Sequence, residues 1–119
     1  MIPLADLDRD ELEALARLHR PSEIDVLQAR VDVARRRSDE AFARYRAESE
    51  RALEMTRMTK RLGEGDGWKG EAFRDAMSDL AAQQGRSRTA WNVYLRAEKK
   101  ADAAERALNR ARAEKGGRA

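Results

Sequence analysis

His19, followed by Arg20 and Pro21, is the one imidazole in 119 residues, and the chain has no cysteine. A single ring without a second His or a thiolate cannot assemble a zinc or redox site. At the predicted end of a short helix, its role is that of a helix-end cation. The 22 acidic side chains could in principle act as general acids and bases or bind hard cations. They are interleaved with 25 basic ones at helical spacing, however, and solvated ion pairs account for them better. The glycines of Gly63-Glu-Gly-Asp-Gly67 lack the preceding strand and the Lys-Ser/Thr of a phosphate-binding loop. The expectation is therefore a protein that is not an enzyme, with no catalytic residues, no metal, no cofactor and no small-molecule substrate.

The arginines are the remaining chemical candidates. Arg35-Arg36-Arg37 and Arg86-Ser-Arg88 could contact phosphates, which would suit a nucleic-acid-binding accessory protein. Each run lies among acids, and a solvated face is the preferred reading. Net charge is +3, divided into blocks of −4 over residues 1–34, +4 over 35–62, −3 over 63–82 and +6 over 83–119. Such blocks neutralise one another if the chain folds back on itself, which weakens the case for a polyanion partner.

With 39% charged and 5% aromatic residues and two prolines, the composition suits long solvated helices. Asp8 with Glu11 three residues later forms a capping-box pattern, and Leu7 with Leu12 a hydrophobic staple, predicting a short helix over about residues 9–19. Pro21 ends it. Ser22 with Asp25 caps the next segment, in which no Gly or Pro occurs until Gly63. Helical pattern resumes near residue 70 and continues to 114.

Both long segments carry a heptad seam. The first runs through Ile24, Leu27, Val31, Ala34, Ser38, Ala41, Tyr45, Glu48, Ala52, Met55, Thr59 and Leu62. The second runs through Phe73, Ala76, Leu80, Gln83, Ser87, Ala90, Tyr94, Ala97, Ala101, Ala104, Leu108 and Ala111. Antiparallel pairing of positions whose numbers add to 135 sets large residues against small ones, as in Tyr45 with Ala90 and Ala41 with Tyr94. It also gathers the polar exceptions in one waist, with Glu48 facing Ser87 and Ala52 facing Gln83 beside Gly85. The acidic residues 22–34 then lie beside the basic 101–113, and the basic 51–62 beside the acidic 71–82.

Phe42 and Trp91 fall on one side of the seam, with Met77 a few turns along, and are candidate partner-binding residues. The preferred cover for them is the N-terminal helix through Leu12, Leu15 and Leu18. A second copy or a different protein is the alternative.

Trp68 sits in the glycine-rich turn, where it is expected to shield Leu62 and Phe73 while Asp66 or Gly70 caps the second long helix. Trp68-Lys69-Gly70, a W-x-G in the turn of a helical hairpin, resembles the WxG family of small proteins exported by type VII secretion systems. The resemblance implies leaderless export, dimerisation as a four-helix bundle, and a Y-x-x-x-D/E export signal, matched here by Tyr94 and Glu98 in Tyr94-Leu-Arg-Ala-Glu98. As a residue, Tyr94 is read in preference as a core position of the seam packed on Ala41.

The fold expected is all-α: a long antiparallel coiled-coil helical hairpin with a short N-terminal helix packed on its side. One helical domain covers 1–119, divided into the short helix (1–21), first long helix (22–62), turn (63–70), second long helix (71–114) and frayed tail (115–119). The function expected is that of a protein–protein interaction module binding a protein or a second copy of itself as a homodimer. A phage- or plasmid-encoded inhibitor or assembly factor is the alternative. No membrane partner is expected. The acids of MIPLADLDRDE stand where a secretory leader has a basic region, predicting cytoplasmic synthesis, with secretion where the WxG resemblance holds.

Overall fold

Asp8 opens the first helix by accepting from the Glu11 backbone N–H (3.0 Å), while the Glu11 carboxylate accepts from the Asp8 N–H (3.0 Å). This reciprocal box satisfies donors that a helix start leaves unpaired, and it sets α1, Arg9–Leu15, in the computed structural model, which describes residues 6–117. Helix α1 is shorter than the predicted 9–19. The chain then turns through Arg20, held at φ 56 just before Pro21. Ser22 and Asp25 repeat the box, with Asp25 N–H to Ser22 Oγ at 3.1 Å and Ser22 N–H to Asp25 Oδ2 at 2.9 Å. Helix α2 follows as Glu23–Leu62, and α3 as Glu71–Gly117. Lys115–Gly117 are thus helical where a frayed tail is predicted, and residues 118–119 lie outside the described residues.

Between α2 and α3 the turn is built on backbone that only glycine tolerates. Gly65 adopts φ 60, and a Cβ at Gly67 would fall 1.9 Å from the Leu62 carbonyl oxygen. A short 3-10 turn, Gly67–Lys69, delivers the chain to Gly70, whose extended backbone caps α3. Asp66 makes no capping bond.

The described residues hold three helices and no strand, and α2 and α3 form an antiparallel hairpin with α1 on its side. Every predicted seam position is buried or half-buried except Leu62. Contacts divide the chain into two units, one combining the stretches before residue 40 and after residue 94, the other Glu40–Tyr94.

In the first unit, Leu27, Val31 and Leu108 form a cluster with Ile24, Ala104, Ala107 and Ala111 around it. These are the residues of three predicted layers, 24 with 111, 27 with 108 and 31 with 104. A second cluster joins Leu7 and Leu15 to Val26 and Ala29. Helix α1 therefore seats on apolar positions of α2 that lie off the seam. Leu12 is exposed, so the expected Leu7–Leu12 staple is replaced by Leu7 packing with Leu15.

The second unit has few fully buried apolar side chains, Leu80 and Ala90 among them, and its most enclosed side chain is Gln83, at 0% exposure. Gln83 Nε2 donates to the Glu48 carbonyl (3.0 Å) and to Glu48 Oε2 (2.5 Å), and Gln83 Oε1 accepts from Arg86 Nε (3.1 Å). The polar waist exists, but its pairing is Gln83 with Glu48. The longer side chains reach one turn further than backbone register alone predicts. Ser87, the expected partner of Glu48, has a buried hydroxyl with no bond. Helix α3 passes through Gly85 without a break.

Candidate protein-interaction surfaces

Phe42 and Tyr45 lie three residues apart on α2, Trp91 and Tyr94 three apart on α3, so each pair shares a helix face. The four rings close a cycle, with centroids 5.1 Å apart for Phe42–Tyr94, 4.8 Å for Tyr45–Trp91, 5.4 Å for Trp91–Tyr94 and 6.3 Å for Phe42–Tyr45, all tilted. Tilted aromatic pairs each contribute about 0.5–1.5 kcal/mol beyond area burial. The seam tyrosines are half-buried, while Phe42 and Trp91 remain 40% and 38% exposed. Phe42 and Trp91 thus meet through Tyr45 and Tyr94, a bridging role that seam logic did not assign to either tyrosine. Met77 is exposed and is not one of the four.

Of the three leucines expected to cover this cluster, each has another place. Leu15 is committed to Val26 and Ala29 within its own unit, and Leu12 and Leu18 are exposed. A sequence signal for this was present. Val26, Ala29 and Val33 form an apolar off-seam stripe on α2, flanked by Arg30 and Arg37, which match the acids of α1. Arg30 Nε donates to Glu11 Oε2 (3.0 Å), and Arg37 pairs with Asp8 (2.8 Å) and Asp10 (2.9 Å). The hydrogen bond from Arg37 is the largest cause holding the Asp8 carboxyl below its ordinary range.

Most of the candidate phosphate-contacting arginines are occupied. Arg35 bonds Glu105 through Nε (2.9 Å) and a terminal nitrogen (2.6 Å), and also reaches Asp102 (3.0 Å) and Glu98 (3.3 Å). Its hydrogen bonds to Glu105 and Asp102 raise its own pKa, and in return Arg35 lowers that of Glu105. Arg36 lies 3.7 Å from Asp10, and Arg86 is bonded to Gln83. Arg88 is exposed. Ion pairing between α2 and α3 in the first unit thus centres on Arg35 and the acids of α3. Among the described residues of the charge blocks expected to meet there, 22–34 and 101–113, Arg112 donates to the neutral Gln28 Oε1 (2.8 Å).

Tyr94 and Glu98 both face inward. The Tyr94 ring belongs to the aromatic cycle, and the Glu98 carboxylate accepts from Ser38 Oγ (2.5 Å) and Arg35 (3.3 Å). Trp68 does not shield Leu62, which is 38% exposed; the indole is itself 57% exposed, with Lys69 Nζ 5.2 Å from its ring centroid. Phe73 packs instead against Gly63, where a Cβ would stand 2.8 Å from its ring.

The second unit also carries an open groove of about 530 Å³, with Ala41, Ala90 and Val93 among its apolar lining and Arg44 and Arg86 among its polar lining. In the first unit a groove of about 440 Å³ runs between α1 residues such as Glu11 and α3 residues such as Ala103 and Ala107. Among the described residues no group of three or more His, Cys, Asp or Glu is placed to hold a metal ion, and no helix is long and apolar enough to cross a membrane. No family model, characterised protein or solved structure matches the chain.

Proposed function

We propose that the chain is a non-enzymatic protein-interaction module that binds a protein partner through the aromatic flank of its second unit, centred on Phe42 and Trp91. The observation that carries this reading is the pair of large rings left well exposed although both are fixed by contact with Tyr45 and Tyr94. A ring already held in place loses little freedom on binding, and buried aromatics are the commonest anchors of protein interfaces. Affinity capture from the source organism with the intact chain, Trp91→Ala and Phe42→Ala tests it. The expected result is loss of a specific partner in both variants with helix content unchanged. Retention of every partner by both would refute the reading.

A WxG-type exported protein is the second reading, favoured by the exposure of Trp68 at the hairpin turn. Tyr94 and Glu98 would then have to leave their inward contacts to be read as a signal. Export that survives Trp68→Ala together with Tyr94→Ala would dismiss it. A nucleic-acid partner is the weaker proposal, because Arg35 and Arg37 already hold two or more carboxylates each.

A further inference from the structure

Arg30, Arg37, Arg44 and Arg51 recur every seven residues along α2 and so follow one line down the helix. In the first unit α1 answers this line, with Glu11 on Arg30 and Asp8 and Asp10 on Arg37, while Leu7 and Leu15 cover Val26 and Ala29. In the second unit no carboxylate among the described residues pairs with Arg44, which borders the open groove containing Ala41, Ala90 and Val93. Arg86 also lines that groove. The one acid in the lining, Glu48, is bonded to the buried Gln83 amide, so Arg44 and the terminal nitrogens of Arg86 are left for an incoming carboxylate.

We propose that this groove is the docking seat for an acidic amphipathic helix of a partner protein, held as α1 is held, with leucines on the apolar floor and carboxylates on Arg44 and Arg86. The chain's own acidic, leucine-bearing helix is already seated on its own α2, so the occupant is a foreign helix. The seat is separate from the aromatic flank, since Phe42 and Arg44, two residues apart, leave α2 in different directions. The inference therefore goes beyond the proposed function and does not depend on Phe42 or Trp91.

The test is fluorescence anisotropy of a labelled synthetic peptide, residues 6–19 of this chain, titrated with the full-length protein. Saturable, salt-sensitive binding is expected, weakened about tenfold or more by Arg44→Glu and by Gly85→Leu, and lost when the peptide's acids become amides. Gly85→Leu adds a side chain at the wall of the groove, at a position where a Cβ meets nothing within 4 Å and where Leu is the better helix former. Trp91→Ala should leave peptide binding unchanged, which separates this seat from the aromatic flank. Absence of binding at about millimolar protein, or binding indifferent to both groove variants, would overturn the proposal. So would sedimentation showing that the chain self-associates and that Gly85→Leu abolishes it, which would make a second copy the occupant.

Discussion

Gly85→Ala isolates the backbone contribution of one position in the interior of α3. Glycine costs about 0.8–1.0 kcal/mol relative to alanine inside a helix, because the unfolded chain has more freedom to lose. A Cβ at this site meets nothing within 4 Å, so no steric term opposes the gain. The one side-chain bond to the residue, from Thr89 Oγ1 to the Gly85 carbonyl (3.0 Å), uses the backbone and survives the change. The expected outcome is about 1 kcal/mol of added stability, or about 3–6 °C in Tm for a domain of this size. Gly67→Ala is the matched control. Its Cβ would fall 1.9 Å from the Leu62 carbonyl oxygen, so the backbone must shift, and forced overpacking costs about 1–3 kcal/mol. The same chemical change should thus raise Tm at one glycine and lower it at the other, followed by far-ultraviolet circular dichroism and checked by urea denaturation. A fall in Tm for Gly85→Ala would show that α3 is not continuous there and refute the helix assignment.

Gln83→Ala should lose about 1–3 kcal/mol in urea denaturation, since it removes a fully enclosed amide that donates to Glu48 and accepts from Arg86. Glu105 and Asp8 have carboxyl groups held below their ordinary pKa in the folded state, so the stability they add is full at neutral pH. It is lost as pH falls below the carboxylate range. Arg35→Gln should therefore be less stable than the parent at neutral pH and converge with it near about pH 2, and parallel acid titration curves would refute the role given to Arg35. Because the chain lacks cysteine, Ala41→Cys with Tyr94→Cys, or Tyr45→Cys with Ala90→Cys, should form a crosslink within one chain. Failure of both pairs would exclude the hairpin register.

The seam was legible because a helical hairpin repeats one simple requirement over many turns, and each apolar residue reinforces the reading of its neighbours. Two capping boxes, Asp8 with Glu11 and Ser22 with Asp25, were legible for the same local reason: both partners lie within one turn. What depends on side-chain reach was not. Gln83 and Glu48 find each other a turn away from the layer that backbone register assigns them, because both side chains are long and both need a partner. The flank that α1 takes does not follow from the size of the exposed aromatics. The smaller Val26 and Ala29, reinforced by Arg30 and Arg37, offered a better match of both shape and charge. As for the interaction surfaces, Phe42 and Trp91 could be placed near each other from their numbers, but the tyrosines that hold them follow from ring orientation, which spacing does not encode.

The glycine turn constrains how such a chain can change length over evolutionary time. With Gly65 in the left-handed region and Gly67 pressed against the Leu62 carbonyl, the connection between α2 and α3 has a fixed span. An insertion in one helix alone would slide every layer beyond it past its partner and separate Gln83 from Glu48 or Arg35 from Glu105. Descendants that lengthen or shorten should therefore do so by whole heptads, gained or lost together at mirrored positions in both helices. Unmatched differences in length should accumulate only ahead of Ser22 and beyond the last shared layer, where Ile24 and Ala111 meet the cluster of Leu27 and Leu108.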